Sequence, residues 1–213
     1  MKINEQEIRE VSRARLAGEG VPTCDALPLF GRAVTPRSSG QVAERVVALY
    51  ALVGLAHDAD PGKLIRWLEG ARCDKALTGE ERGLFQKERV SHDEEKKLSW
   101  LQEAIYLLMW AGSRVGELPP AQGECDLDAI LPLIPPEVSV ADFRRSVVIR
   151  PTPELVVEAD YLYQLHWAIR HPEVWHGEVE YQKLSRDVVI ERRRAIEWIL
   201  NRRLAWWDIP LDT

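Results

Sequence analysis

Only two short stretches of this chain carry β-branched runs of the kind that build a sheet: "SVVIRP" at 146–151 and "DVVIE" at 187–191. The second runs straight into a helical pattern, so strands have almost nothing to draw on. Helix-start signals, by contrast, recur. Ser91 with Glu94, and Thr78 with Glu81, set a hydroxyl and a carboxylate three residues apart, where each satisfies a free backbone N–H near the other. Asp60-Pro61 and Thr152-Pro153 place a capping residue before a proline, whose missing N–H is harmless in a first helical turn.

The pattern predicts helices near 3–17, 41–56, 61–69, 79–88, 92–111, 127–133, 140–147, 153–170 and 186–204. An irregular Pro- and Gly-rich arm links the first of these to Ser39. The expected fold class is mainly α: a single domain, 1–213, forming an irregular bundle of about eight helices with little or no sheet. Helix 92–111 is apolar on two sides over its last turns, through Leu98, Leu101, Ile105 and Leu108, and through Trp100, Leu107 and Trp110. It is therefore the expected central element. Trp67, Trp100 and Trp167 suggest a repeat, but their surrounding residues do not match one another, so a solenoid is set aside.

A chain of 213 residues is long enough to bury a full core without disulfides or metal. Its three cysteines, Cys24, Cys73 and Cys125, form no CxxC pair and read as small apolar fillers in a reducing compartment. No apolar run suits export or a membrane span, so the expectation is a cytoplasmic protein with no membrane role. Net charge is −6, and its placement matters more than its size. Between Glu117 and Asp142 stand six acids (Glu117, Glu124, Asp126, Asp128, Glu137 and Asp142) and no Lys, Arg or His. Proline pairs at 119–120 and 135–136 bracket this stretch, which predicts loop around a short helix. A globally basic nucleic-acid binder is thereby disfavoured, and a basic protein partner is the natural match for segment 117–142.

Four motifs occur in order: "WLQEAIYLLMWAGSRVGELPP" (100–120), "DYLYQLHWAIRH" (160–171), "VVIERRRAIEWIL" (188–200) and "WWDIPLDT" (206–213). With "LPLFGRAVTPRSSGQVAERVVALY" (27–50), they resemble the bacterial family of domain of unknown function 4272 over nearly the whole chain. The resemblance implies an intracellular, mostly helical protein and supplies no activity. In one place this chain departs from it: where the family reads roughly "ERHYALNW", residues 191–198 read "ERRRAIEW".

Helical periodicity turns three polar residues inward: Glu103, His166 and Glu191. One reading makes them catalytic candidates of a hydrolase-like, metal-assisted enzyme, with pKa values shifted by burial. The favoured reading makes them internal ties, with Glu191 paired to Arg45, Arg114 or Arg192 and His166 bonded to a backbone carbonyl. No Glu-x-x-His pair of the di-metal bundle type is present, so neither a metal nor any other cofactor is assigned. "HDADP" (57–61) reads as a helix end followed by a cap at Asp60. His171 and His176, in "HPEVWHGE", are loop residues with a weak ligand signal.

From Arg186 to Arg203 six arginines face three acids, a net +3 that does not make a nucleic-acid platform. Arg193, Arg194 and Arg203 are expected to reach water. Arg192, Trp198, Trp207 and Asp208 are the binding candidates, and Trp206 or Trp207 is expected to fold back into a groove. There is no phosphate loop, nucleophile elbow or dinucleotide fingerprint. The leading expectation is a non-enzymatic protein-interaction or accessory module.

Overall fold

The computed structural model describes residues 4–29, 34–175 and 184–212. The chain is mainly helical, 59% helix and 1% strand, and no sheet forms among the described residues. Its internal contacts gather into two compact units. One holds residues 1–36, 119–124 and 150–213; the other holds 37–118 and 125–149.

The first unit is built on three helices: α1 (Glu5–Gly18), α8 (Thr152–Arg170) and α9 (Arg186–Leu200). Helix α8 packs against both of the others. Asn4 caps α1 by accepting the Glu7 N–H. At α8 the capping expectation fails, because Pro151 holds the cap position and Thr152 already lies inside the helix. Helix α9 stops at Leu200, four residues earlier than periodicity suggests. There Thr35 donates its N–H to Leu200 O at 2.8 Å and accepts from Arg202 N at 3.1 Å, a single parallel bridge that takes over the backbone groups the helix would use. "DVVIE" is helical, as its downstream pattern suggests.

The second unit is organised around α2 (Ser39–Ala56). Ser38 and Gln41 form its capping box. Val42, Val46, Val47, Leu49, Leu52 and Leu55 are buried around its circumference, so the helix is apolar all round, as a central helix must be. Against it pack α3 (Pro61–Gly70), α5 (His92–Ser99), α6 (Leu101–Ala111) and α7 (Val140–Ser146). Short α4 (Gly79–Leu84) completes the set. The capping boxes at Ser91/Glu94 and Thr78/Glu81 and the Asp60 cap all form.

Two expectations are corrected here. Stretch 92–111 breaks at Trp100 into α5 and α6, and α2 rather than this stretch is central. Residues 127–133 yield only a 3-10 turn at Leu131–Leu133, because Pro132, Pro135 and Pro136 deny a longer helix its N–H donors. Stretch 146–151 leaves α7 extended, and Val148 N donates to Gly112 O at 3.0 Å. A Cβ on Gly112 would lie 2.9 Å from Val147 Cγ1, so only glycine permits this approach.

Candidate functional site

Glu103, in α6, is fully buried and its Oε1 accepts the Cys125 N–H at 2.5 Å. It anchors the acidic stretch to α6 at Cys125. Another buried carboxylate in the same unit, Glu81, grips Arg45 through two bonds of 2.6 and 2.7 Å, and each residue is 1% exposed. Arg45 also donates to Ala76 O at 2.8 Å. One acid thus caps α4 and ties it to α2.

His166 and Glu191 lie in the other unit, in α8 and α9. Helix α8 buries a row of polar side chains, each held by a different neighbour. Asp160 takes a bidentate grip from Arg9 of α1 at 2.9–3.1 Å, and Arg9 spends its remaining donors on Leu27 O and Pro28 O. Glu158 accepts from Arg15 at 2.6 Å. Gln164 exchanges bonds with the backbone of Cys24, at 2.9 and 3.0 Å.

His166 Nδ1 stands 2.6 Å from Arg193 Nη1, so its partner is a guanidinium and not the expected backbone carbonyl. A guanidinium can only donate, so Nδ1 accepts and the ring proton sits on Nε2. Burial first, and then the charges of Arg193, Arg170 and Arg186, push the imidazole pKa down to about 4. This histidine stays neutral at physiological pH, and a cation covers its basic nitrogen. Arg193 is 2% exposed, not solvated as its helical position suggested. Its Nε pairs with Glu197 at 2.6 Å and its guanidinium lies 4.5 Å from the Tyr163 ring centre. Burial raises the Glu197 pKa against the opposing pull of Arg193.

Glu191 meets Arg194 at 3.3 Å, one turn along the same helix, an arginine not among those the sequence suggested for it. Arg192 donates to Pro119 O at 2.5 Å. Trp198 and Trp206 pack edge to face with centroids 5.5 Å apart, and Trp206 is the tail residue that fills a groove, at 1% exposure. Trp207 lies beneath the Arg194 guanidinium at 4.8 Å. Asp208 is exposed, as is Arg203. The structure therefore joins His166 to Arg193 and Glu191 to Arg194, while Glu103 lies in the other compact unit.

Among the described residues no group of three or more His, Cys, Asp or Glu is arranged to hold a metal ion. His57 is the exposed residue ending α2, and Asp60 caps α3 by accepting the Lys63 N–H at 2.7 Å. His171 contacts Glu173 at 2.8 Å, and His176 lies outside the described residues. No described helix is long and apolar enough to cross a membrane.

Among the described residues, two surface features adjoin one another. All six acids of segment 117–142 are exposed. In the second unit an open groove of about 570 Å³ runs beside part of that segment, lined by Tyr50, Val53, Leu64, Trp67, Leu127 and Leu131 among others. Gly54 shapes it: a Cβ there would stand 3.3 Å from Leu64 Cδ1, so glycine lets α3 approach α2 closely.

The family model for Domain of unknown function (DUF4272) matches residues 8–209. The chain belongs to that family. Comparison with curated proteins and with solved structures returns no match. The DUF4272 description carries no chemistry, so any role has to be read from the side chains. In this DUF4272 chain the sequence reading overlooked Asp160, Glu158 and Gln164, although two of them sit on one face of α8 as the i, i+4 pair Asp160 and Gln164. Their partners, Arg9, Arg15 and Cys24, lie 151, 143 and 140 residues away in sequence, where periodicity carries no pairing signal.

Proposed function

We propose that the protein works by binding another protein, a basic one, through the acidic segment 117–142. The observation that carries this reading is a contrast between two sets of acids. Interior carboxylates (Glu81, Glu103, Asp160, Glu158 and Glu197) are each engaged by an arginine or a backbone N–H. The six acids of segment 117–142 are exposed to water even where they have local partners, as Asp142 does in Ser139 and Arg145.

Exposed acids in one run, with no base between them, create a local negative field that steers and orients a positively charged surface. A hydrolase-like role needs a base or nucleophile that substrate can reach. Glu103 and His166 are 0% and 2% exposed, and the His166 nitrogen facing Arg193 is covered by a cation, so the binding reading is the better supported one.

The test is co-purification at graded salt, comparing the native protein with a variant carrying Asp126→Asn, Asp128→Asn and Glu137→Gln. A basic protein should be retained at low salt by the native chain and lost by the variant. Recovery of the same proteins by both, or of none by either, refutes the proposal.

A further inference from the structure

The acidic segment borders an apolar groove, and the two together describe an occupant. The groove volume, about 570 Å³, lies in the range of recognition pockets, and its walls are mostly apolar or aromatic. Tyr50 and Trp67 meet edge to face, centroids 6.5 Å apart and planes at 79°, forming a corner against which a side chain can lie. Leu127 and Leu131, from the acidic segment, supply the facing wall together with Pro136.

Charge is divided along the rim. Asp128 lines the groove and Glu137 follows Pro136; both are exposed, and both act electrostatically on the Tyr50 hydroxyl. With burial as the larger cause, they raise the Tyr50 pKa, so the potential at that end is negative. Lys63 and His57 are the polar lining groups from the α2–α3 side. A cationic ligand is therefore drawn to the 128–137 side.

We infer that this groove receives an amphipathic helix of the basic partner, with apolar side chains one turn apart on Tyr50, Trp67 and Leu131 and a Lys or Arg beside Asp128 and Glu137. The inference rests on the proposed binding role and assigns the chemistry of its partner. A helix presents i and i+4 side chains on one face, which suits a groove walled on two sides. The apolar anchors supply affinity and the acidic rim supplies orientation and salt dependence.

The test uses the full chain and three synthetic helical peptides in low-salt calorimetry. The first carries Leu at i and i+4 with Lys on the flanking turns; the second replaces Lys by Glu; the third is a scramble of the first. The Lys peptide should bind, and the other two should be weaker by at least about tenfold. Leu131→Glu should weaken it by a similar factor while circular dichroism stays native, and Leu127→Glu serves if that variant does not fold. Asp128→Lys with Glu137→Lys should weaken it and flatten its salt dependence.

If Lys-peptide binding is lost on charge reversal but survives the leucine variants, the groove assignment falls and the acidic-segment role stands. Failure of every peptide to bind sinks the groove assignment, and co-purification at graded salt then decides the acidic-segment role by itself. A dimer of the protein alone that Leu131→Glu dissociates would give the groove to a second copy and overturn the inference.

Discussion

Replacing His166 by Gln removes a titrating group while keeping an oxygen that Arg193 can donate to. In the folded chain the imidazole is buried, Arg193 stands 2.6 Å away, and Arg170 and Arg186 add positive charge. Glu197 and Tyr163 also face Arg193, and Asp212 adds negative charge near both. The folded pKa is near 4, and an unfolded chain restores the usual value of about 6.5. Between those values the unfolded state binds a proton that the folded state refuses, so stability falls as pH falls.

Integrating that difference gives a loss of about 2 kcal/mol between pH 7 and pH 5, and about 3 kcal/mol by pH 4. The raised pKa of Glu197 acts in the opposite direction, because the folded state then takes up that proton first on acidification. Both proteins keep Glu197, however, so the difference between them isolates the histidine. The assay is urea unfolding followed by circular dichroism at pH 7, 6, 5 and 4. Relative to native, His166→Gln should gain about 2 kcal/mol on going from pH 7 to pH 5. Parallel stability profiles for the two proteins would refute the buried neutral histidine and the pairing inferred for it.

Arg45→Met should cost about 3–5 kcal/mol, because it leaves the Glu81 carboxylate buried at 1% exposure without its guanidinium. Adding Glu81→Gln keeps an acceptor for the Thr78 N–H while removing the charge, and should restore a substantial part of that loss in urea unfolding. If the double variant is as unstable as the single one, charge burial is not the cause. Trp206→Ala should destabilise by about 3–5 kcal/mol, since it empties a fully buried indole site packed edge to face on Trp198. Truncation after Ala205 should do at least as much, and an unchanged thermal midpoint in either variant would show that the tail is not part of the core.

Helix positions were legible wherever a local signal sets them. The capping boxes at Ser91/Glu94 and Thr78/Glu81 and the cap at Asp60 involve residues three apart, so their geometry is written in the sequence. At the end of α9 a contact distant in sequence has intervened. Thr35 ends α9 by taking its last backbone groups, and the break at Trp100 divides what periodicity reads as one helix.

The candidate residues follow the same division. That Glu103, His166 and Glu191 turn inward was legible, because the side chains of a helix repeat every 3.6 residues. What each of them meets was not. Arg193 illustrates why: a long side chain on the border of a helix face can extend to water or turn inward, and its neighbours on α8 decide which. Likewise Asp160 has no partner within its own helix, and Arg9 reaches it from 151 residues away.

By itself the sequence determined a mainly helical chain, the local starts of its helices, and an acidic run with no base among its own residues. Tertiary structure alone decided which arginines are inside, which of them holds which acid, and that an apolar groove opens beside the acidic run. The physical reason is range. Capping and periodicity are satisfied within a turn or two of backbone, whereas burying a charge is tolerable only when a partner from another element arrives to meet it.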